Sequence, residues 1–222
     1  MSERNAIIAG ASGLVGNELL RQLLDDPKYS NVLILVRKKL PLEHPKLTQL
    51  EINFDNIAAQ ILPFPVQDAF CTLGTTIKKA GSREAFRKVD YDYVMAFGNC
   101  CKRNRVSKFL LVSAMGADSN SGIYYNRVKG DIENAIQQID LPSVVILRPS
   151  LLMGKRKEFR LGERFAQAVI GASGFLFMGG LKKYKPIQAG KVASAMVAAA
   201  KANTGSIRIL NSDEMQDAGS WN

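Results

Sequence analysis

The stretch Gly10-Ala11-Ser12-Gly13-Leu14-Val15-Gly16 decides the fold of this chain. It follows the short apolar run Ala6–Ala9 and passes directly into a helical pattern over Leu14–Leu24. Three glycines at this spacing allow a tight turn and a close approach of the backbone to a diphosphate, which the positive end of a helix favours. The motif predicts a dinucleotide-binding turn after the first strand. The alternative is a tight turn that binds no ligand.

Short apolar runs alternate with longer amphipathic runs along the rest of the chain, which is typical of βαβ units. Several runs are apolar throughout, as parallel strands covered on both faces should be. The predicted strands are Ala6–Ala9, Val32–Val36, Leu47–Ile52, Ala69–Leu73, Phe109–Ser113, Val144–Leu147 and Ile207–Leu210. The predicted helices are Leu14–Leu24, Ser82–Asn104, Tyr125–Ile139, Arg160–Ile170 and Gly190–Ala202. We expect an α/β fold of Rossmann type, a doubly wound, mostly parallel sheet with helices on both faces.

The length and composition suit one domain. The chain has 222 residues, of which 46% are hydrophobic and 23% charged, enough to bury one sizeable core. We find no internal repeat and no domain linker, and we predict one domain over 1–222. In it, residues 151–191 form a small C-terminal lid or substrate region. The uncharged stretch Phe165–Leu181 is short and glycine-rich for a membrane span, so we interpret it as a buried or lid segment.

The composition also bears on metals and on the compartment. The three cysteines lack C-x-x-C spacing and the chain has one histidine, His44, so no metal site is predicted. The residues before the first strand do not resemble a signal peptide. We expect a reducing, cytoplasmic compartment and no stable membrane insertion.

The formal net charge of +10 is spread over both halves of the chain, with a local basic excess between Gly154 and Lys191. An anionic ligand, a nucleic acid and an ordinary solvated face are three interpretations of that excess. The aromatic residues of the segment stand beside aliphatic residues, as in a helix core, rather than forming a stacking platform. Nucleic-acid binding is therefore the least favoured interpretation.

Basic residues replace the acid that an NAD-binding chain places about twenty residues after its glycine turn. Here the sequence reads Val36-Arg37-Lys38-Lys39. A guanidinium group pairs with the 2′-phosphate of NADP in a planar fork, so Arg37 and Lys38 favour NADP(H) over NAD(H). Exposed basic residues after a strand are the alternative. Asp55 is a further candidate contact, at the adenine edge, although a turn-forming aspartate explains it equally well.

A tyrosine and a lysine four residues apart are the candidate proton-transfer residues. Tyr125 and Lys129 share one face of a predicted helix. The lysine ammonium favours phenolate over phenol and lowers a tyrosine pKa from its ordinary value of about 10. Ser113, at the end of an apolar strand, can stabilise a substrate oxygen. Although this tyrosine–lysine spacing also arises by chance, the three residues together predict proton transfer between Tyr125 and a carbonyl during hydride exchange with a nicotinamide.

These motifs together resemble the atypical branch of the short-chain dehydrogenase/reductase superfamily. The resemblance runs over nearly the full length and is carried by Gly10 to Gly16, Cys71-Thr72-Leu73-Gly74-Thr75-Thr76, Val89 to Val94, Val112 to Asp118, Tyr125 to Gly130 and Arg148-Pro149-Ser150-Leu151-Leu152. It implies that Leu73-Gly74-Thr75 lines the nicotinamide ribose and that Lys129 hydrogen-bonds the same ribose. It also implies that the turn at Pro149 and Ser150 touches the nicotinamide ring.

The chain departs from the family pattern at two places. Asp90 stands where typical relatives have an asparagine that supports a proton-relay water. The chain also ends soon after its last predicted strand, which argues against the large substrate of a sugar-nucleotide epimerase.

We therefore expect an NADP-dependent oxidoreductase that acts on a small carbonyl or alcohol. Two alternatives stay open. One is a catalytically silent NADPH-binding regulator that signals through a protein partner, which the partner-binding members of the family suggest. The other is a nucleotide-sugar epimerase or dehydratase-like enzyme. A homodimer formed by the helices beside the fourth and fifth strands is compatible with either.

Overall fold

The computed structural model describes residues 3–154, 184–203 and 205–216. The strands are β1 (Arg4–Ala9), β2 (Tyr29–Val36), β3 (Leu47–Glu51), β4 (Asp68–Cys71), β5 (Lys108–Val112), β6 (Val144–Arg148), β7 (Leu152–Met153), β8 (Ile187–Gln188) and β9 (Ile207–Asn211). The helices are α1 (Leu14–Asp25), α2 (Ile77–Ala80), α3 (Arg83–Arg87), α4 (Tyr93–Arg103), α5 (Tyr124–Gln137), α6 (Ala189–Lys201) and α7 (Ser212–Gln216). A 3₁₀-helix covers Phe54–Ala59 and a π-helix covers Lys88–Asp92.

In the described residues, seven strands form one sheet in the order β3-β2-β1-β4-β5-β6-β9. Every neighbouring pair in it is parallel. The prediction of a doubly wound parallel sheet is confirmed. Because β1 lies between β2 and β4, the strand order reverses at β1, and the crevice at the carboxyl ends of β1 and β4 is where such sheets bind ligands.

Helices cover both faces of this sheet, because successive side chains of each buried strand point to opposite sides. In β1, Ala6 and Ile8 belong to the core that contains α1 and α6. Ile7 and Ala9 belong to the second core, which contains residues of α4 and α5. All four side chains are fully buried. β1 is thus buried between two cores, which fix the position of the turn that follows it.

Charged side chains hold the opposite, amino-terminal edge of the sheet. Arg4 forms a two-pronged ion pair with buried Asp68, with N–O distances of 2.7 and 2.6 Å. The Tyr29 hydroxyl donates to the same carboxylate at 2.8 Å. The Lys108 ammonium donates to the carbonyl oxygens of Ala199, Ala200 and Ala202 at the end of α6. These contacts stabilise the edge that lies away from the crevice.

The prediction of a helical pattern over Ser82–Asn104 is confirmed. α3, the π-helix and α4 follow one another there without a gap, and the residues at their junctions keep helical backbone angles. The wider π turn within this stretch was not predicted. Hydrophobic spacing over one turn does not distinguish a π-helix from an α-helix, because the difference is a single extra residue per turn. The small parallel sheet of β7 and β8 was not predicted either, since two-residue strands leave no readable alternation.

Several predicted features fall outside the described residues. These are the helix Arg160–Ile170, most of the region 151–191, and the apolar stretch Phe165–Leu181. The single domain over 1–222 therefore stays a prediction. None of the helices within the described ranges combines the length and apolar character of a membrane span. In the same ranges, no three His, Cys, Asp or Glu side chains are grouped as metal ligands.

Candidate functional site

The glycine turn after β1 is so tightly packed that side chains are excluded at two positions. Gly10 has a φ of +97°, and a Cβ there would lie 2.7 Å from the Thr72 carbonyl group. A Cβ at Gly16 would lie 2.2 Å from the Gly10 carbonyl oxygen. The Gly13 amide donates to that same oxygen at 2.8 Å. The turn between β1 and α1 is therefore pressed against the end of β4, and only glycine fits there.

The start of α1 leaves backbone amides available at this turn. Gly13 is the residue before the helix, and no side chain caps the first turn. The side of the helix formed by Val15 and Gly16 is buried, so these residues, like Leu14, can offer a ligand their amides rather than their side chains. Unsatisfied amides at a helix N-terminus favour an anion.

A cavity of about 620 Å³ opens at the carboxyl ends of β1, β2 and β4. Its lining residues are Gly10, Ser12, Gly13, Leu35, Val36, Arg37, Phe54, Thr72, Leu73, Gly74, Thr75, Thr76, Lys79, Ala80, Ala85, Val89 and Tyr93. The glycine turn, the basic residue after β2 and the loop after β4 thus surround one space. Ala11 is buried behind this wall.

The two basic candidates after β2 differ in position. Arg37 is exposed and lines the cavity. Within the described residues, no carboxylate forms an ion pair with Arg37, so its guanidinium group is available to an anion. Lys38, the next residue, is also exposed but is not among the residues that line the cavity.

The Asp55 side chain is engaged at the rim instead of lining the cavity. The Lys88 ammonium lies 2.7 Å from one carboxylate oxygen, and the Tyr93 hydroxyl donates to the same oxygen at 3.1 Å. These bonds, with the Lys88 contribution the larger, lower the pKa of Asp55. The neighbouring Phe54 ring and the Tyr93 ring, with centroids 5.7 Å apart, line this end of the cavity.

The loop after β4 joins the cavity to the candidate proton-transfer residues. Leu73, Gly74 and Thr75 all line the cavity. The Thr75 amide donates to the Asp90 carboxylate at 2.8 Å. A Cβ at Gly74 would lie 3.7 Å from the Lys129 Nζ, so this loop and the lysine are immediate neighbours.

Ser113 comes from the end of β5, and Tyr125 and Lys129 come from α5; of the three, Lys129 is the one that the structure shows against that loop. Ser113 directly follows β5, and its buried hydroxyl oxygen has no hydrogen-bond partner among the described residues. Tyr125 lies in the first turn of α5, half-buried, with its ring 5.4 Å from that of Phe86. Lys129 lies one turn further along, 3% exposed, with its Nζ 2.7 Å from an Asp90 oxygen. A buried hydroxyl whose hydrogen bonds are unsatisfied is suited to a substrate oxygen.

The turn after β6 presents its backbone and not its serine side chain. The Pro149 carbonyl accepts the Met115 amide at 2.9 Å, which ties this turn to the loop after Ser113. The Ser150 hydroxyl donates to the Lys185 carbonyl and accepts from Ser212. Ser150 therefore holds the C-terminal segment, and a contact with a nicotinamide would be left to Pro149 and the backbone.

Sequence reasoning missed part of the cavity wall. The lining residues not foreseen include Phe54, Thr76, Lys79, Ala85, Val89 and Tyr93. Thr76 directly follows the loop that was singled out, and its side chain caps α2, so the threonine pair at 75 and 76 was the available signal. The others come from α2, α3, α4 and the 3₁₀- and π-helices, whose places along the cavity depend on the tertiary fold.

The sheet is parallel, and its glycine turn lies at the point of strand reversal and borders a cavity whose wall at Gly74 adjoins Lys129. These features define a dinucleotide-binding protein of Rossmann type. A family model described as NAD(P)H-binding matches residues 10–203, and the chain belongs to this NAD(P)H-binding family.

Two relatives support this assignment. Protein HTATIP2 of Rattus norvegicus is 33% identical over 176 residues, which cover 78% of this chain and 72% of that protein. Protein FMP52, mitochondrial, of Candida albicans is 33% identical over 198 residues, which cover 85% of this chain and 86% of that protein. The resemblance to atypical short-chain dehydrogenases/reductases is confirmed. Because the FMP52 name includes the word mitochondrial, a cytoplasmic location for this chain stays a prediction.

Solved structures of other proteins share this fold. The structure of MoeE5 in complex with UDP-glucose and NAD matches with a TM-score of 0.68 at 15% identity, over 93% of this chain and 76% of MoeE5. The human epimerase family protein SDR39U1 with NADPH matches with a TM-score of 0.63 at 15% identity, over 97% of this chain and 80% of SDR39U1. At this identity the likeness shows the Rossmann-type fold.

Proposed function

We propose that this chain is an NADP-dependent oxidoreductase that interconverts a small carbonyl compound and its alcohol, with Tyr125 as the proton donor and acceptor. The observation that carries the proposal is the continuity of the site. The glycine-walled cavity meets Lys129 at Gly74, where a Cβ would lie 3.7 Å from the lysine Nζ. A dinucleotide seated in the cavity would thus end beside the proton-transfer residues.

The residues around the cavity fit a dinucleotide phosphate. The crowding at Gly10 and Gly16 fixes the backbone of the glycine turn, and Gly10 and Gly13 of that turn line the cavity. The Gly13 turn and the amides of Leu14, Val15 and Gly16 would hold the diphosphate, with Ser12 beside them. Arg37, assisted by Lys38, would hold the 2′-phosphate. Phe54 and Tyr93 provide an aromatic wall suited to adenine.

At the opposite end, Leu73-Gly74-Thr75 and Pro149 would border the nicotinamide ribose and ring. When bound, the cofactor supplies or accepts the hydride at the substrate carbon. Lys129 stands beside Gly74 and can donate to a ribose hydroxyl. A contact of Asp55 with the adenine remains part of the proposal only through its backbone, since its carboxylate is bonded to Lys88 and Tyr93.

The chain's own residues manage the substrate oxygen and its proton. The Ser113 hydroxyl, buried and without a partner, donates to the carbonyl oxygen and stabilises the negative charge that develops on it. The Tyr125 phenol gives its proton to the same oxygen and recovers one from solvent. In the reverse direction Tyr125 as phenolate takes the proton from the alcohol.

A panel of carbonyl compounds with NADPH tests the proposal, with Tyr125→Phe as the informative variant. Loss of the phenolic proton donor should reduce the rate at least about a hundredfold, the contribution typical of general acids. Tyr124→Phe is the matched control, because Tyr124 also rests on Phe86 and has Val128, not a lysine, four residues on. An observed rate that Tyr125→Phe leaves unchanged would refute the role of Tyr125.

A second candidate is an NADPH-binding regulator without turnover. The Asp90–Lys129 ion pair favours it, because a lysine already paired with a carboxylate acidifies a neighbouring phenol less. This candidate requires NADPH binding without reduction of any carbonyl, and a protein partner whose affinity changes with NADPH. A partner that is indifferent to NADPH would count against it.

A further inference from the structure

A buried carboxylate joins the proton-transfer lysine to the cofactor loop. Asp90 is fully buried, and one of its oxygens lies 2.7 Å from the Nζ of Lys129, which is itself 3% exposed. The other oxygen accepts the Thr75 amide at 2.8 Å. Asp90 thus takes the place of the family asparagine and makes a direct contact with the lysine.

The π-helix explains how this residue reaches the site. Asp90 lies in the middle of Lys88–Asp92, where the wider turn directs it inwards. Asp92, two residues on, is exposed and pairs with Arg87 at 2.7 Å. A Cβ at Gly74 would come within 3.3 Å of the Asp90 carboxylate, so the glycine lets the cofactor loop close over the ion pair.

We propose that Asp90 is the positioning residue of Lys129 and that its charge keeps Tyr125 protonated at neutral pH, which adapts the site to carbonyl reduction. The inference rests on the proposed function and adds a direction to it. In reduction, hydride passes from the bound NADPH to the carbonyl carbon and a proton passes from Tyr125 to the carbonyl oxygen, which yields the alcohol and NADP⁺.

The physical reason is the cancellation of charge. An isolated ammonium near a phenol favours the phenolate and lowers the tyrosine pKa. A carboxylate in contact with that ammonium makes the pair nearly neutral, and the field of a close pair at Tyr125 is much weaker than that of one charge. A proton donor must carry its proton at the working pH, whereas alcohol oxidation needs the phenolate.

Among the described residues, Cys71, Arg83 and Arg127 are further ionisable groups near the ion pair or near the first turn of α5. Cys71, at the end of β4, interacts with both members of the ion pair, but burial raises the pKa of its thiol to about 12. Ser113 does not titrate in this range. Arg83 and Arg127 lie against the Tyr124 ring, at 5.1 and 5.5 Å from its centroid, and keep their charge. Asp90 is therefore the residue to change.

A spectroscopic titration tests the inference without any substrate. The tyrosinate absorbance of the wild-type protein minus that of Tyr125→Phe isolates the ionisation of Tyr125. We expect no tyrosinate absorbance from Tyr125 in the wild-type protein at neutral pH. A wild-type midpoint close to neutral pH would overturn the inference, whatever any variant does.

Asp90→Asn provides the second readout. The amide keeps the size and an oxygen to accept the Thr75 amide but removes the negative charge. We expect the Tyr125 midpoint, measured against Asp90→Asn/Tyr125→Phe, to fall by about one pH unit or more. Asp92→Asn, which removes an exposed carboxylate two residues away, should leave it in place. An unchanged or raised midpoint in Asp90→Asn contradicts the inference.

Kinetics separate the inference from the proposed function. In a carbonyl reduction by NADPH, the loss of kcat at high pH should begin at lower pH in Asp90→Asn by the same amount as the midpoint falls, with little change in KM. Alcohol oxidation at neutral pH should become relatively faster. If Tyr125→Phe has no effect on the rate, the proposed function fails; if it does and the two pH profiles coincide, only the inference fails.

Discussion

At Gly16 the space for a side chain is already occupied, by the Gly10 carbonyl oxygen 2.2 Å away and the Thr72 hydroxyl oxygen 2.6 Å away. Gly16→Ala must push the turn apart. We expect NADPH affinity to fall at least about tenfold and the free energy of unfolding to fall by about 1–3 kcal/mol, the usual effect of overpacking.

The matched control is Gly122→Ala, because a Cβ placed there meets no atom of the described residues within 4 Å apart from its chain neighbours. Calorimetric titration with NADPH and denaturant unfolding measure both quantities. If Gly16→Ala binds NADPH as the wild type does, the diphosphate does not rest on this turn.

Arg37 is the residue on which the choice between dinucleotides depends. Its guanidinium group lines the cavity, and a charge-assisted contact with a phosphate contributes about 1.5–3 kcal/mol. We expect Arg37→Ala to weaken NADPH binding about tenfold to a hundredfold and to leave NADH binding unchanged.

Arg103→Ala, which removes an exposed arginine at the end of α4, is the control for the overall loss of positive charge. Fluorescence titration of each variant with both reduced dinucleotides gives the four affinities. An equal loss for NADPH and NADH would show that Arg37 does not recognise the 2′-phosphate.

The role of a single residue can be predicted from the sequence where the residue type fits only one structural role at that position. The glycine turn belongs to this group, since crowding at Gly10 and Gly16 requires glycine. Asp55 and Ser150 do not, because each can bond several partners and the fold decides which. Asp55 bonds Lys88 and Tyr93, and Ser150 bonds the Lys185 carbonyl and Ser212.

At the scale of elements, the buried strands were predictable because apolar residues run through them. The π-helix within Ser82–Asn104 was not, and it matters for the site, because it carries Asp90 to Lys129. One residue added to a turn leaves the apolar pattern on both sides intact, so neither the π-helix nor the ion pair can be recognised from the hydrophobic spacing.

The cysteines of β4 and α4 give a test of how those elements pack. Cys71, Cys100 and Cys101 are buried and free. Burial raises the pKa of Cys71 to about 12 and raises the pKa of the other two thiols as well. Because the thiolate is the reactive form, we expect no labelling by a thiol reagent at pH 8 in the native protein and three labelled thiols after denaturation.

Mass spectrometry after a timed exposure to the reagent counts the modified cysteines. The denatured protein serves as the control for reagent activity. Rapid labelling of any of the three cysteines in the native state would show that β4 or α4 opens to solvent.

Lys108 is the contact between β5 and the end of α6. Its ammonium donates to three carbonyl oxygens that the helix leaves without partners. We expect Lys108→Met to lower the free energy of unfolding by about 2 kcal/mol, since hydrogen bonds to a charged group are lost and the carbonyls stay buried. NADPH affinity should not change, because this edge of the sheet lies opposite the cavity.

Lys102→Met is the control for Lys108→Met. Lys102 is exposed on α4 and stands 3.9 Å from an Asp140 oxygen. Urea unfolding of both variants measures the difference. Equal stability of the two would mean that Lys108 adds nothing to the packing of α6.

For the whole molecule, the parallel α/β sheet was the most predictable property and the completed site the least. Alternating apolar and amphipathic runs require a parallel sheet, and such a sheet brings the carboxyl ends of β1 and β4 together. The cavity wall also draws on Phe54, Lys79 and Val89, from three different short helices. Their meeting depends on the packing of the complete fold, which local spacing does not encode.

Both candidate functions require a dinucleotide to bind with its diphosphate at the start of α1 and its 2′-phosphate at Arg37. Isothermal titration of the folded wild-type protein with NADPH and, separately, with NADH measures this binding. We predict one NADPH per chain and at least about tenfold weaker binding of NADH, the difference that one charge-assisted contact provides. Folded protein that takes up neither dinucleotide would contradict both candidate functions.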